Sequence, residues 1–140
     1  MANKDSLLYA KLHTNKQVSL PTDRGGFMYA IPIEHTVAAD ANGDTVNLAV
    51  LPLGAKILDI DLAYDALGAS TTLSIGDAGS ATRYIPSTGV TAAGRVQGPS
   101  TTAGQNFIQT ADTILLLTWG GATPTNAATL KGVVKIIPAL

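Results

Sequence analysis

Side chains suited to metal ligation or proton transfer are few in this sequence: two histidines, one glutamate, nine aspartates and no cysteine. His13 and His35 each lack a second ligand at a metal spacing such as H-E-x-x-H, so neither points to a metal or to catalysis. Asp40, Asn42 and Asp44 imitate the opening of a calcium loop. Position six is Thr45 where the sharp turn needs glycine, and position twelve is Leu51 where a bidentate glutamate is needed. The segment reads as a turn around Asn42-Gly43, the pair that best accepts positive φ in a tight hairpin. Asp59 and Asp61 fall on one face of an extended segment about 7 Å apart, from roughly 3.3 Å of rise per residue, a spacing compatible with paired carboxylates. No third group joins them, and the simpler reading is a solvated strand face whose like charges discourage edge pairing. Gly76-Asp77-Ala78-Gly79 is followed by neither a lysine nor a helix and so forms a turn, not a phosphate cradle. No G-x-S-x-G occurs. The chemistry points to a protein that is not an enzyme and needs no cofactor or small-molecule substrate.

Composition narrows the partners. The chain has 140 residues, enough for one core, and a formal charge of -1, which gives no broad attraction to nucleic acid or to an anionic membrane. Charged residues make up 14% against a usual share of about 25%, so the surface is mostly neutral and polar. The apolar run Ile114 to Leu117, like every other in the sequence, is far shorter than the roughly 20 residues of a spanning helix. The opening MANKDSLLYAKLHTNKQ interrupts every short apolar run with charge and contains no signal-peptide core.

The elements that would position any site are strands. From about Ala30 the sequence runs in short Val-, Ile-, Leu- and Thr-rich segments broken by Gly, Pro, Asn and Asp. In A-K-I-L-D-I-D-L-A-Y-D, Leu58, Ile60, Leu62 and Tyr64 alternate with aspartates, which predicts a half-buried strand. The segments flanking Asn42-Gly43 predict two paired strands, and T-T-L-S-I predicts another after Gly68. The stretch from Gly76 to Gly104 reads as loop-rich, with short strands near Arg83 to Ile85 and Val90 to Val96. T-I-L-L-L-T-W and A-T-L-K-G-V-V-K-I-I are continuous enough to predict strands covered on both faces. Trp119 suits a core anchor or a subunit interface, and tryptophan's burial preference favours the core. The whole predicts an all-β domain over residues 29–140, a single antiparallel β-sandwich and jelly-roll-like.

Residues 1–28 differ. Leu7, Leu8, Tyr9, Leu12, Val18 and Leu20 are sparse in a polar context, and residues 1–24 carry Lys4, Lys11, Lys16 and Arg24 against Asp5 and Asp23. This predicts an extended, modestly basic N-terminal arm with too little apolar surface to fold alone.

Residues 51–85, L-P-L-G-A-K-I-L-D-I-D-L-A-Y-D-A-L-G-A-S-T-T-L-S-I-G-D-A-G-S-A-T-R-Y-I, resemble a pattern in small phage virion proteins. There an apolar strand after L-P-x-G-A leads to D-x-L-G-x-S-T-T-L-x-x-G and then to a D/T-R-Y/F element. The pattern is similar to that of bacteriophage head decoration, or capsid cement, proteins. The resemblance implies a β-sandwich on the capsid exterior, a homotrimer, and terminal arms lying on the major capsid protein. In this chain that role would fall to Lys4, Leu7, Leu8, Tyr9, Lys11, Leu12 and Lys16. A tail, fibre or adhesin module binding a host glycan is the alternative. Aromatic residues at 5% are sparse for stacking on sugars.

Overall fold

Alternating burial builds eight strands: β1 (Tyr29–Thr36), β2 (Thr45–Leu51), β3 (Lys56–Tyr64), β4 (Thr72–Asp77), β5 (Ser80–Gly89), β6 (Gly94–Gly98), β7 (Thr113–Gly120) and β8 (Thr129–Ile137). The computed structural model describes residues 28–138; the expected arm, apart from Met28, lies outside the described residues. In β7, Leu115, Leu117 and Trp119 point inward at every second position, and in β4 Leu73 and Ile75 do the same. These side chains interdigitate with Ile57, Ile60, Leu62, Leu130 and Val134 from the facing sheet to form one core.

The two antiparallel sheets have the orders β1-β8-β3-β6 and β2-β7-β4-β5. The chain crosses from one sheet to the other at every connection except the β4–β5 turn, in the double Greek-key manner of an eight-stranded jelly roll, as the sequence led us to expect. Proline respects this topology. Pro32 lies in β1 and Pro86 in β5, each an edge strand, where only one side of the backbone is paired.

Several local expectations require correction. The segments flanking Asn42-Gly43 do not pair with each other: β1 pairs with β8 and β2 with β7, in opposite sheets. Gly43 has the positive φ of +91° that the turn demands. Its N–H donates to the Trp119 carbonyl, and the Trp119 N–H donates to that of Asp44, so the turn hands the chain over to β7. A turn signal fixes a change of direction, and the partner is chosen by long-range burial.

Leu58 is not part of the inward row. The β3–β8 register shifts between Ile57 and Asp59, a bulge that puts Ile57 in the core and leaves Leu58 41% exposed. Strand β3 is interior, so Asp59 and Asp61 guard no edge; they face Lys135 at 3.7 Å and Arg95 at 3.2 Å across the ladder. Strands β7 and β8 each bury one face only, with Ile114 and Lys131 on the outside. The supposed loop region carries the ten-residue β5, which spans Arg83 to Ile85, and Val90 lies beyond it, before β6.

Candidate interaction surfaces

Polar chemistry inside the fold is concentrated in three small clusters. At one end of the sandwich, Asp40 accepts from His35 Nε2 at 2.8 Å, from Trp119 Nε1 at 2.9 Å and from the Ala38 N–H at 3.2 Å. Burial works against the charged carboxylate, but these donors outweigh it and hold the Asp40 carboxyl below its ordinary value. Trp119 itself is 1% exposed and belongs to the core, the first of the two roles its sequence position suggests.

At the opposite end, Asp77 closes the β4–β5 turn. Its Oδ1 accepts the Gly79 and Ser80 N–H groups, each at 3.0 Å, and its Oδ2 accepts from Arg83 Nε at 2.8 Å. The Arg83 guanidinium stacks 3.9 Å above the Phe107 ring. Gln109 Nε2 donates to the Tyr84 hydroxyl, a fully buried group whose ionisation burial pushes to higher pH. Each cluster satisfies its own hydrogen bonds; Asp77, Arg83, Phe107 and Gln109 also line one side of a shallow, open depression of about 280 Å³. Another shallow depression, about 370 Å³, is lined by Ala63, Tyr64, Asp65, Thr129 and Lys131 beside β3 and β8. Among the described residues, no group of three His, Asp or Glu side chains is placed to hold a metal. The calcium-like triplet is spent on the turn: Asp44 Oδ2 accepts the Ala41 N–H at 2.8 Å while Asp40 faces Trp119.

The surface carries more information than the clusters. The outer face of the β1-β8-β3-β6 sheet is a field of cross-strand ion pairs, with Lys131 against Glu34 at 3.6 Å beside the Asp59 and Asp61 pairs. The outer face of the other sheet presents Val50 directly opposite Ile114, 67% and 40% exposed. Leu53, 58% exposed, follows in the β2–β3 turn, and Ile108, 57% exposed, bridges to Lys56. Met28 and Tyr29 open β1 at this same end, both more than half exposed. Composition gave no signal of this clustering, because the residues are scattered in sequence and only topology gathers them.

Of the residues nominated from sequence, Lys4, Leu7, Leu8, Tyr9, Lys11, Leu12 and Lys16 lie outside the described residues, and Trp119 is buried. The exposed apolar residues went unnoticed as candidates because strand alternation marks a residue as apolar without saying what covers it.

The class that this architecture defines is the eight-stranded jelly-roll sandwich. No protein-family model matches the sequence, and no curated protein is significantly similar to it. Solved structures do share the fold. A chain of the cyanophage Pam1 capsid asymmetric unit superposes with a TM-score of 0.66 at 24% identity, over 80% of this chain and 85% of that one. A chain of the capsid of Ralstonia phage GP4 gives 0.69 at 18% identity, over 82% and 86%. One from the acidic stable capsid structure of Helicobacter pylori bacteriophage KHP30 gives 0.58 at 15% identity, over 81% and 90%. At these identities the likeness is one of fold.

Proposed function

We propose that this chain is a structural virion protein, a phage head decoration protein that binds the outer surface of the expanded shell and cements neighbouring major capsid protein subunits. The observation that carries the reading is the jelly roll shared over four-fifths of the chain with components of three phage capsid structures. The motif in residues 51–85 supports it independently. A cement protein acts by mass action: it binds the assembled shell and not the separated subunits, so its binding free energy opposes their separation.

In this reading the N-terminal arm contributes Leu7, Leu8, Tyr9 and Leu12 as apolar anchors, with Lys4, Lys11 and Lys16 meeting acidic capsid surface. The protein acts as a homotrimer, since two open-edged sheets with few charges leave surface for symmetric association. Cryo-electron microscopy of expanded, undecorated shells mixed with the purified protein tests the proposal. Density at symmetric exterior sites is expected; bare shells would turn the reading toward a tail or adhesin module. A chain lacking residues 1–24 that decorates equally well would remove the arm from the contact. Sedimentation as a monomer at micromolar concentration would remove the trimer.

A further inference from the structure

The large apolar side chains exposed among the described residues all lie toward one end of the sandwich. At this end β2 and β4 finish, β1, β3, β5 and β7 begin, and β8 runs out. Val50 and Ile114 face each other across β2 and β7. Beyond them the pairing continues past the named strands: the Gly54 N–H donates to the Gln109 carbonyl at 2.8 Å, the Gln109 N–H to that of Ala55 at 2.9 Å, and Lys56 bridges Ile108. One antiparallel ribbon thus runs from the outer face of one sheet, around the end, to the start of β3, and it carries Val50, Ile114, Leu53 and Ile108 exposed along its length. Lys56 and Asp112 are the charges on this ribbon, and Asp112 Oδ1 already accepts the Leu53 N–H at 2.8 Å. A stripe of this kind is suited to an uncharged apolar partner and not to an acidic or nucleic-acid one.

The described residues also begin at this end. Twenty-seven residues precede Met28, which stands 51% exposed beside β1. The far end, with the β1–β2, β3–β4, β5–β6 and β7–β8 connections, exposes no large apolar side chain among the described residues.

The geometry points to an end-on docking: the stripe of Val50, Leu53, Ile108 and Ile114 lies against an apolar, uncharged patch of the major capsid protein, with the far end projecting away from the shell. This inference rests on the decoration reading and adds to it the surface and the orientation. Burial of four such side chains supplies enough free energy to dominate a small interface.

The test is quantitative binding of fluorescently labelled protein to expanded, undecorated shells. Three proteins are compared: the full-length wild type, a V50T/L53T/I108T/I114T variant, and an E34Q/K131Q variant on the charged face. The stripe variant should lose affinity by about a hundredfold or more, and the charged-face variant should stay within about twofold. Wild-type binding with an unweakened stripe variant would overturn the docking surface while leaving the decoration reading intact, and would give the stripe to a second copy or to the chain's own N-terminal segment. No wild-type binding would overturn both. Should the fourfold variant melt early, L53T and I108T, both outside the named strands, carry the same comparison singly.

Discussion

The two ends of the sandwich are built from the same turn chemistry and finish differently. Asp40 and Asp44 at one end, and Asp77 and Asp112 at the other, all accept backbone N–H groups that connecting segments would otherwise leave unpaired. Only the far end closes its apolar residues inside as well, by tying the Trp119 indole to Asp40. The opposite end leaves Val50, Leu53 and Ile108 more than half exposed. Exposure there is not a failure to complete the fold, because the hydrogen bonding of both ends is equally finished.

The most direct way to break the closed end is to remove its anchor. Trp119→Ala empties the largest fully buried side-chain volume, and we expect a loss of about 3–5 kcal/mol in urea unfolding. A loss under about 1 kcal/mol would mean that the core collapses into the space and that the indole is no anchor. The equivalent intrusion at the open end is Arg83→Leu. Asp77, 5% exposed, would keep its two backbone donors and lose its charged partner, lowering stability by about 2 kcal/mol. An unchanged midpoint would show that the turn N–H groups alone stabilise that carboxylate.

Much of the architecture was legible in the sequence, and the reasons are local. Ile60 and Leu62 alternate with Asp59 and Asp61, so a two-residue period with one wet face left little choice but a strand. Pairing was not legible. Asn42-Gly43 correctly announced a positive φ, but the partners of β1 and β2 lie about a hundred and about seventy residues further along, set by burial that no local window contains. The Leu58 bulge was hidden for the same reason, since it exists only against β8. The apolar stripe joins residues from position 50 to position 114, and it could be seen only once the β2–β7 ribbon was drawn.

Acid sharpens the contrast between the ends. The Asp40 carboxyl is held below its ordinary value in the folded protein, so its ionised form stabilises the fold above the unfolded value of about 4. That contribution disappears as pH falls through the lowered folded value. Asp40→Asn removes the charge and weakens the contacts to His35 and Trp119, so it should cost about 1–2 kcal/mol at neutral pH. The gap between variant and wild type should narrow below about pH 4, where protonation does to the wild type what the substitution has already done. A gap that stays constant from pH 7 to pH 2.5 would show that Asp40 does not titrate with folding.

The smallest expected effect concerns the open end, where it carries the most meaning. Leu53→Thr and Ile108→Thr replace side chains that are 58% and 57% exposed, so each should shift the stability of the isolated protein by no more than about 0.5 kcal/mol in urea unfolding. Trp119 and these two residues are all large and apolar, and burial alone separates their expected costs. A near-zero change would mean that the stripe contributes nothing to the fold that carries it, leaving its apolar character to be explained by a partner. A loss of 2 kcal/mol or more would instead mean that these side chains are covered within the isolated protein, and the open end would then be closed by the chain's own residues.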